Sequence, residues 1–263
     1  MHYRILVPVF AAAALLTVGC AQEPQPSRPA EKPTQDPAAT QPSGAKAKDS
    51  GGSQDAAFVA IDEFIAQQKI DKQGNWKTRL PKPPKLQFTP GVDYVWQIET
   101  NKGPMRIQLL PEAAPMHVSS LIYLARLGFY DGLGFHRVIP GFMAQGGDAS
   151  GTGAGPFGYQ LDLEVDPKFN FDKAGVLGAA RRPDPNSAGS QFYISFKATP
   201  HLNQGYSVYG QLIDGMDTLR KLEAAGTPGG QPTEELKIVR TSVTAQPKDA
   251  KPAAQPADAG KDK

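Results

Sequence analysis

The sequence predicts a mainly β fold: a closed, eight-stranded antiparallel barrel capped by two helices, with an N-terminal helical extension. Eight short segments between residues 94 and 243 have the apolar or alternating pattern of strands. Clusters of Gly, Pro, Asn and Asp separate them, as expected for turns. Two further segments have the apolar spacing of helices. Many short strands with few helices are typical of a sheet that closes on itself, with helices over its open ends.

Composition limits the folded part to one domain. The 263-residue chain has 28 Lys and Arg against 26 Asp and Glu, and a net charge of +2 gives no bulk attraction to nucleic acid. Residues 21–57 and 245–263 contain no Val, Ile, Leu, Met or aromatic side chain. Such segments cannot bury enough apolar surface to offset the entropy lost on folding. We therefore expect a disordered tether over residues 20–55 and a disordered tail over residues 245–263.

The N-terminus has the features of an export signal. Arg4 precedes an apolar run over residues 5–18, which is shorter than the roughly 20 residues that a membrane-spanning helix needs. The basic start and the small residue before Cys20 are typical of a secretory signal peptide over residues 1–19. Residues 16–20, LTVGC, resemble a bacterial lipobox, which implies a lipid anchor on Cys20 and a place in the cell envelope outside the cytoplasm. The alternative is a plain cleavage signal with an incidental cysteine, which predicts a secreted protein.

Residues 56–84 are expected to form a helical extension and a proline-rich linker. Phe58, Ile61, Phe64 and Ile65 recur at helical spacing, which predicts a helix over residues 56–70. The sequence LPKPP at residues 80–84 is stiff and cannot lie inside a helix. Either the helix packs on the surface of the domain or it docks a partner.

Residues 85–244 are expected to form the main folded domain, which contains the predicted strands and both capping helices. A strand, a turn at residues 101–103 and a second strand come first. Pro115 suits the first position of a helix whose apolar stripe ends near Gly128, and a second helix fits residues 216–223. The predicted strands cover residues 94–98, 105–109, 135–138, 143–145, 176–180, 192–195, 208–212 and 236–243.

Two motifs carry the chemistry. The first is FHRVIPGFMAQGGD at residues 135–148, and the second is DPNSAGSQFYI at residues 184–194. Both closely resemble the signature stretches of cyclophilins, which are peptidyl-prolyl cis/trans isomerases, and they occur in the same order. Shorter matches extend the resemblance over about residues 94–243. The resemblance implies a cyclophilin-like barrel and isomerase activity on X-Pro bonds.

The resemblance implies that Arg137 is the catalytic residue. Rotation about a peptide bond breaks amide resonance and has a barrier of ~18–20 kcal/mol. In the twisted transition state the prolyl nitrogen regains its lone pair, so an arginine donor stabilises that state more than the ground state. The guanidinium stays charged at neutral pH. The chemistry requires no metal or cofactor, and none is expected.

The resemblance also implies a substrate site around Arg137. Phe142, Met143, Tyr193 and Leu202 would line an apolar socket for the proline ring. Gln145 and Ala180 would hold the substrate backbone. The remaining predicted site residues are His136, Gln191, His201 and Tyr206.

Three of these residues depart from common cyclophilin sequences. Tyr193 stands where many members have Phe, which adds a hydroxyl to the socket. His201 takes the place of a Trp that is present in the members most sensitive to cyclosporin, which puts drug sensitivity in doubt. Tyr206 falls where a His is common.

Other reaction classes find no support in the sequence. Cys20 is the only cysteine, and the four histidines show no metal-ligand spacing. The glycine-rich residues 151–155 are followed by Pro156 rather than by a helix start, which indicates a surface loop. We expect a monomeric isomerase that binds proline-containing polypeptides and assists the folding of exported proteins. The alternative is an envelope-tethered proline-peptide binding module or chaperone with incidental turnover.

Overall fold

The computed structural model describes residues 55–248. The predicted signal peptide over residues 1–19, the predicted acylation site Cys20, most of the tether and the end of the predicted tail lie outside the described residues. Within residues 55–248, no helix combines the length and apolar character that crossing a membrane requires.

Eight antiparallel strands form a single sheet, which confirms the predicted strand content. The strands are β1 (Val92–Thr100), β2 (Gly103–Leu109), β3 (Arg137–Ile139), β4 (Met143–Gly146), β5 (Val176–Ala179), β6 (Phe192–Ser195), β7 (Val208–Asp214) and β8 (Ile238–Pro247). Their order across the sheet is β3-β4-β6-β5-β7-β2-β1-β8, so β3 and β8 are its edges. The strands from the two sequence motifs, β3, β4 and β6, are neighbours at one side of the sheet.

The predicted closed barrel is wrong, because the edge strands β3 and β8 do not pair with each other. The loop before β8 occupies the outer edge of β3. The Val138 N–H donates to the Gly230 carbonyl at 2.8 Å, and the Thr227 N–H donates to the Val138 carbonyl at 3.1 Å. The segments that lead into the two edge strands do meet, through an isolated bridge between Gly134 and Lys237 and a hydrogen bond from the Phe135 N–H to the Leu236 carbonyl at 2.9 Å. Since both polar backbone groups of Val138 are already used, the sheet remains a curled half-barrel.

Three helices accompany the sheet: α1 (Ala56–Gln68), α2 (Pro115–Arg126) and α3 (Met216–Ala224). The two helices predicted within the sheet region, α2 and α3, are confirmed. Asp55 caps α1, because its carboxylate accepts from the Ala57 N–H at 3.0 Å. Pro115 lies in the first turn of α2, where a missing N–H costs no helical hydrogen bond.

The helix α1 packs its apolar face against α2. Phe58 and Ile61 are fully buried. Phe64 meets Tyr123 of α2 edge-on, with ring centroids 5.6 Å apart. Arg126 of α2 lies 4.9 Å above the centre of the Phe58 ring. The apolar face of α1 is therefore used within the chain, as in the first of the two alternatives considered for this helix.

The last strand runs past residue 244, where the disordered tail is predicted to begin. Residues 245–247 continue β8 by pairing with residues 92–94 of β1. The Lys248 N–H then donates to the Gly91 carbonyl at 2.9 Å. Backbone pairing requires no apolar side chain, which is why composition places this boundary too early.

Candidate active site

The strand register places the predicted catalytic residue in a row with other site residues. Arg137 of β3 lies opposite Gln145 of β4, and Gln145 lies opposite Tyr193 of β6. Tyr193 in turn lies opposite Gly178 of β5, which is paired with Val208 of β7. Residues directly opposite each other in antiparallel strands project from the same face of a sheet. The five positions therefore line one continuous face.

The next residues along these strands project from the other face. Val138, Ala144, Ile194 and Leu177 are all fully buried, and they belong to the main hydrophobic core. Alternation along a strand means that a core on one face leaves the other face for the site. The candidate site therefore lies on the outer surface of the curled sheet and not inside it.

A cavity of about 230 Å³ opens on this outer face. It brings together Arg137, two residues of β4, one of β6 and residues from the loops that follow β5 and β6. Eight of its nine lining residues are predicted site residues. The lining residues are Arg137, Phe142, Met143, Gln145, Ala180, Arg181, Tyr193, Leu202 and Tyr206.

Aromatic rings form the apolar side of this cavity. Tyr193 is stacked on Phe171, with centroids 5.7 Å apart and planes inclined by 21°. It also meets Tyr206 edge-on at 6.0 Å. Met143 and Leu202 are buried beside them. Burial raises the pKa of the Tyr193 phenol, so this side of the cavity stays uncharged.

A chain of hydrogen bonds forms the polar side. Arg137 Nη1 donates to Gln145 Oε1 at 3.3 Å, and Gln145 Nε2 donates to Gln191 Oε1 at 2.9 Å. Gln191 Nε2 donates to the Gly153 carbonyl at 3.1 Å. Gln145 accepts from Arg137 and donates to Gln191, so two hydrogen bonds determine the orientation of its side chain. The exposed guanidinium of Arg137 is thereby held at the mouth of the cavity.

Asp148 organises the loop that contains Gly153, the last acceptor in this series of hydrogen bonds. Its carboxylate accepts from Ser150 Oγ at 2.6 Å and from the Gly153 N–H at 2.6 Å. Burial alone would raise the pKa of Asp148, but these hydrogen bonds and others from the loop outweigh burial and hold that pKa below its ordinary value. The loop over residues 148–155 is therefore tied to an ionised, buried carboxylate.

Three predicted residues do not line this cavity. His136 lies beneath the glycine-rich loop, where a Cβ on Gly153 would come within 3.0 Å of the ring. Burial lowers the pKa of His136, and the charge of Arg137 adds to this effect while Asp148 opposes it. His201 is exposed at the rim, with its ring centroid 5.8 Å from that of Phe142. Gln191 acts through Gln145 and lines a neighbouring cavity instead.

One of the two polar backbone groups of Ala180 already has a hydrogen-bond partner within the protein. Its N–H donates to the Gln191 carbonyl at 3.0 Å. The N–H is therefore not available to a substrate, and the predicted grip on substrate backbone at this position rests on the Ala180 carbonyl.

Sequence reasoning missed two residues of the site. Arg181 lines the cavity and fixes the loop that carries Tyr206: its guanidinium donates to the Gly205 carbonyl at 2.9 and 3.0 Å and lies 4.3 Å from the centre of the Tyr206 ring. Phe171 supports the Tyr193 ring from below. The adjacent pair Arg181-Arg182 directly after a predicted strand is a visible signal for the first, whereas nothing local marks Phe171 as a site residue.

Comparisons with known proteins agree on one family. The family model described as cyclophilin type peptidyl-prolyl cis-trans isomerase matches residues 95–243. Peptidyl-prolyl cis-trans isomerase-like 2 from Cryptococcus neoformans is 39% identical over 160 residues, which cover 58% of this chain and 28% of the relative. Peptidyl-prolyl cis-trans isomerase-like 1 from Gibberella zeae is 37% identical over 150 residues, which cover 56% of this chain and 92% of the relative.

Solved structures give the same result. A Cryptosporidium parvum cyclophilin type peptidyl-prolyl cis-trans isomerase matches with a TM-score of 0.56 and 34% identity, over 59% of this chain and 99% of that one. A second structure of that protein, determined in the presence of the dipeptide Ala-Pro, matches with a TM-score of 0.54 and 34% identity, over 57% of this chain and 98% of that one. Because the family model matches more than half of its length, this chain belongs to the cyclophilin family of peptidyl-prolyl cis-trans isomerases.

Proposed function

We propose that this protein catalyses cis/trans isomerisation of X-Pro bonds in polypeptides, with Arg137 as the catalytic residue. The observation that carries the proposal is the single cavity that joins the Arg137 guanidinium to an apolar, aromatic socket. A socket of this kind suits the proline ring, because a buried apolar surface favours a side chain with no polar group. The Ala-Pro dipeptide named with the Cryptosporidium relative has the same chemistry.

In the proposed mechanism Arg137 donates a hydrogen bond to the prolyl nitrogen as the amide twists. That nitrogen becomes a good acceptor only when resonance is lost, so the bond contributes more to the transition state than to either ground state. Gln145 acts as a positioning residue, since its Oε1 accepts from Arg137 while its Nε2 is held by Gln191. No bond is made or broken, so Arg137 is required only as a donor and not as an acid.

The arrangement supports catalysis over simple binding of proline-rich segments. Binding requires only the apolar side of the cavity, which Met143, Tyr193 and Leu202 form. Gln145 also holds a cation at the mouth of the cavity. Turnover gives this cation a function, because it can donate to the twisted amide, whereas binding of the proline ring does not require it.

The test is turnover of a proline peptide by the full-length protein and by Arg137→Ala, in a protease-coupled assay. We expect kcat/KM to fall roughly 30–150-fold, which corresponds to ~2–3 kcal/mol of lost transition-state stabilisation. Arg79→Ala is the matched control, because Arg79 is also exposed but lines neither this cavity nor its neighbour. The Arg137→Ala variant should still bind the peptide. Equal turnover by Arg137→Ala and the parent would refute the mechanism.

We also propose that the substrates are exported proteins and that Cys20 carries a lipid anchor. The support is the sequence of residues 1–20, with its apolar run and its LTVGC segment. Fractionation of cells that express the parent or Cys20→Ser tests the anchor. The parent should sediment with membranes, and the variant should appear in the fraction that does not sediment. A variant that still sediments with membranes argues against acylation.

A further inference from the structure

The candidate active site continues into a second cavity of about 230 Å³. The two cavities share Gln145, Ala180 and Arg181 as lining residues. A polypeptide whose proline occupies the first cavity therefore places a flanking side chain at or near the second. The residues that line the second cavity therefore influence which substrates are accepted.

Cationic side chains line this continuous surface. Arg137 and Arg181 line the first cavity, and Arg181 and Arg182 line the second. Among the described residues that line either cavity, there is no Asp or Glu. Three guanidiniums without a lining carboxylate produce a local positive potential, although the net charge of the whole chain is only +2.

The acidic groups close to this surface in sequence are engaged elsewhere. Asp148 is buried, and its carboxylate accepts from Ser150 Oγ and the Gly153 N–H within its own loop. Asp184 caps a turn by accepting from the Asn186 N–H at 2.9 Å. Neither residue lines the cavities, so the described chain leaves the positive potential available to a ligand.

The two adjacent arginines differ in their freedom to meet a substrate. Arg181 is held by the Gly205 carbonyl and by the ring of Tyr206, so its guanidinium has a structural function. Arg182 is exposed, and its side chain makes no hydrogen bond or ion pair with any residue between 55 and 248. A guanidinium with five free donors at the edge of a binding surface is suited to a carboxylate.

We propose that Arg182 is a specificity-determining residue that favours polypeptide substrates with an acidic side chain close to the isomerised proline. This inference rests on the proposed function, since it concerns the choice among substrates of the same site. The selected chemistry is a carboxylate of Asp or Glu within a few residues of the proline, next to the part of the chain that lies in the first cavity.

The test compares three peptides that share an Ala-Pro core and differ only at the residues two positions before and after the proline. These residues are Glu, Gln or Lys. At low ionic strength we expect kcat/KM to fall in the order Glu, Gln, Lys, with the Glu peptide about fivefold better than the Lys peptide, the upper range for an exposed ion pair. The preference should decrease as salt is added, because exposed charges are screened.

Variants then assign the preference to Arg182. Arg182→Gln should lower the ratio of Glu to Lys peptides toward one, and Arg182→Glu should lower it further, while Arg137 and Arg181 remain in place. Arg79→Gln is the matched control, because it removes an exposed arginine that lines neither cavity, and its ratio should equal that of the parent. A ratio near one in the parent, or a ratio that Arg182→Gln leaves unchanged, overturns the proposal.

Failure of the proposed function gives a different result. A parent protein that fails to turn over even the Gln peptide contradicts the isomerase activity itself. Titration calorimetry with the same three peptides then measures the charge preference as a ratio of dissociation constants. Tighter binding of the Glu peptide that Arg182→Gln abolishes supports the inference, and equal binding of all three peptides refutes it.

Discussion

At the scale of single residues, the depth of the proposed proline socket depends on a position without a side chain. Gly178 lies opposite Tyr193 in the sheet. A Cβ at residue 178 would lie 2.4 Å from Tyr193 Cζ and 2.8 Å from Phe171 Cε1. The aromatic floor of the socket therefore exists because residue 178 leaves room for it. The missing side chain also accommodates the Tyr193 hydroxyl, whose oxygen would lie 2.6 Å from a Cβ at residue 178.

We expect Gly178→Ala to reduce activity by displacing the Tyr193 ring toward the cavity. The ring is buried between Phe171 and Tyr206, so it has little freedom to move aside. Steady-state assays should show a higher KM and a kcat/KM lowered about tenfold or more, which corresponds to ~1.4 kcal/mol.

Gly229→Ala is the matched control for this substitution. A Cβ at residue 229 would meet only Thr227 Oγ1, at 3.9 Å, so activity should not change. If Gly178→Ala has the same KM and kcat/KM as the parent, the socket floor does not depend on this glycine.

At the scale of elements, the helix α2 is capped by a residue far away in sequence. Its N-cap residue, Ala114, offers no side-chain cap. Instead the Glu164 carboxylate accepts from the N–H groups of Met116 and His117 at 3.0 Å and from His117 Nδ1 at 2.7 Å. A carboxylate at this end also interacts favourably with the helix dipole. The loop that carries Glu164 is thereby fastened to α2.

We expect the stability that Glu164 contributes to be lost in acid. Burial alone would raise the pKa of Glu164, but hydrogen bonds from His117 and Met116 outweigh burial and lower it below the ordinary value of 4.5. A pKa that is lower in the folded state gives stability that is complete above pH ~4.5 and disappears as pH falls through the folded-state pKa. Glu164→Gln should therefore be less stable than the parent at pH 7, by about 1–3 kcal/mol.

Denaturant unfolding at a series of pH values measures this difference. The gap between parent and Glu164→Gln should narrow as the pH falls from 6 toward 3. Glu112→Gln is the control, because Glu112 is exposed and makes no hydrogen bond with the described residues. A gap that stays constant over this pH range would mean that the carboxylate charge has no part in the cap.

The proline-rich segment after α1 forms no helix or strand, but it buries every third residue. Leu80, Pro83 and Leu86 are buried, whereas Lys82 and Lys85 between them are exposed. A period of three is that of a polyproline II helix, which the proline content of residues 80–86 favours. The Leu86 N–H also donates to Ser119 Oγ of α2 at 2.9 Å. The segment is therefore a strap packed along the domain rather than a free linker.

At the scale of the whole molecule, the extension and the sheet share one hydrophobic core. Phe58 and Ile61 of α1 belong to the same cluster of buried residues as Trp96 and Phe192 of the sheet. Family similarity begins only at residue 95, so this part of the core is an addition to the family domain. The added segment covers α2, whose Tyr123 is fully buried beneath it.

We expect Phe58→Ala to destabilise the whole domain without a direct effect on catalysis. Removal of a buried Phe costs about 3–5 kcal/mol in lost burial and cavity formation. Phe58 lines neither cavity of the site, so kcat/KM below the melting temperature should remain close to that of the parent. Val59→Ala in the same helix is the control, because Val59 is 42% exposed and should cost little.

Thermal unfolding with an activity assay on the same samples checks this expectation. A melting temperature for Phe58→Ala within a degree or two of that of Val59→Ala would show that the extension folds independently of the sheet. A loss of activity at temperatures where the variant is folded would indicate that α1 influences the site.

Much of the site was accessible from sequence because its residues lie in two continuous motifs. Arg137, Phe142, Met143 and Gln145 occur within nine residues, so local resemblance identifies them together. The hydrogen bond between Gln191 and the Gly153 carbonyl was not accessible, since it joins residues that no local pattern relates. The same is true of Arg181, whose function depends on where the loop at Gly205 comes to lie.

The sequence by itself determined the strand and helix content, the two motifs and the identity of the catalytic candidate. The strand and helix content follows from periodicity among near neighbours in the chain, and the catalytic candidate follows from the resemblance of the two motifs to cyclophilins. Only the tertiary structure decided that the barrel stays open at β3, that Glu164 caps α2 and that Arg181 and Arg182 extend the site into a second cavity. The physical reason is common to all three. Each depends on contacts between residues that are tens of positions apart in the chain, and near-neighbour patterns do not determine those contacts.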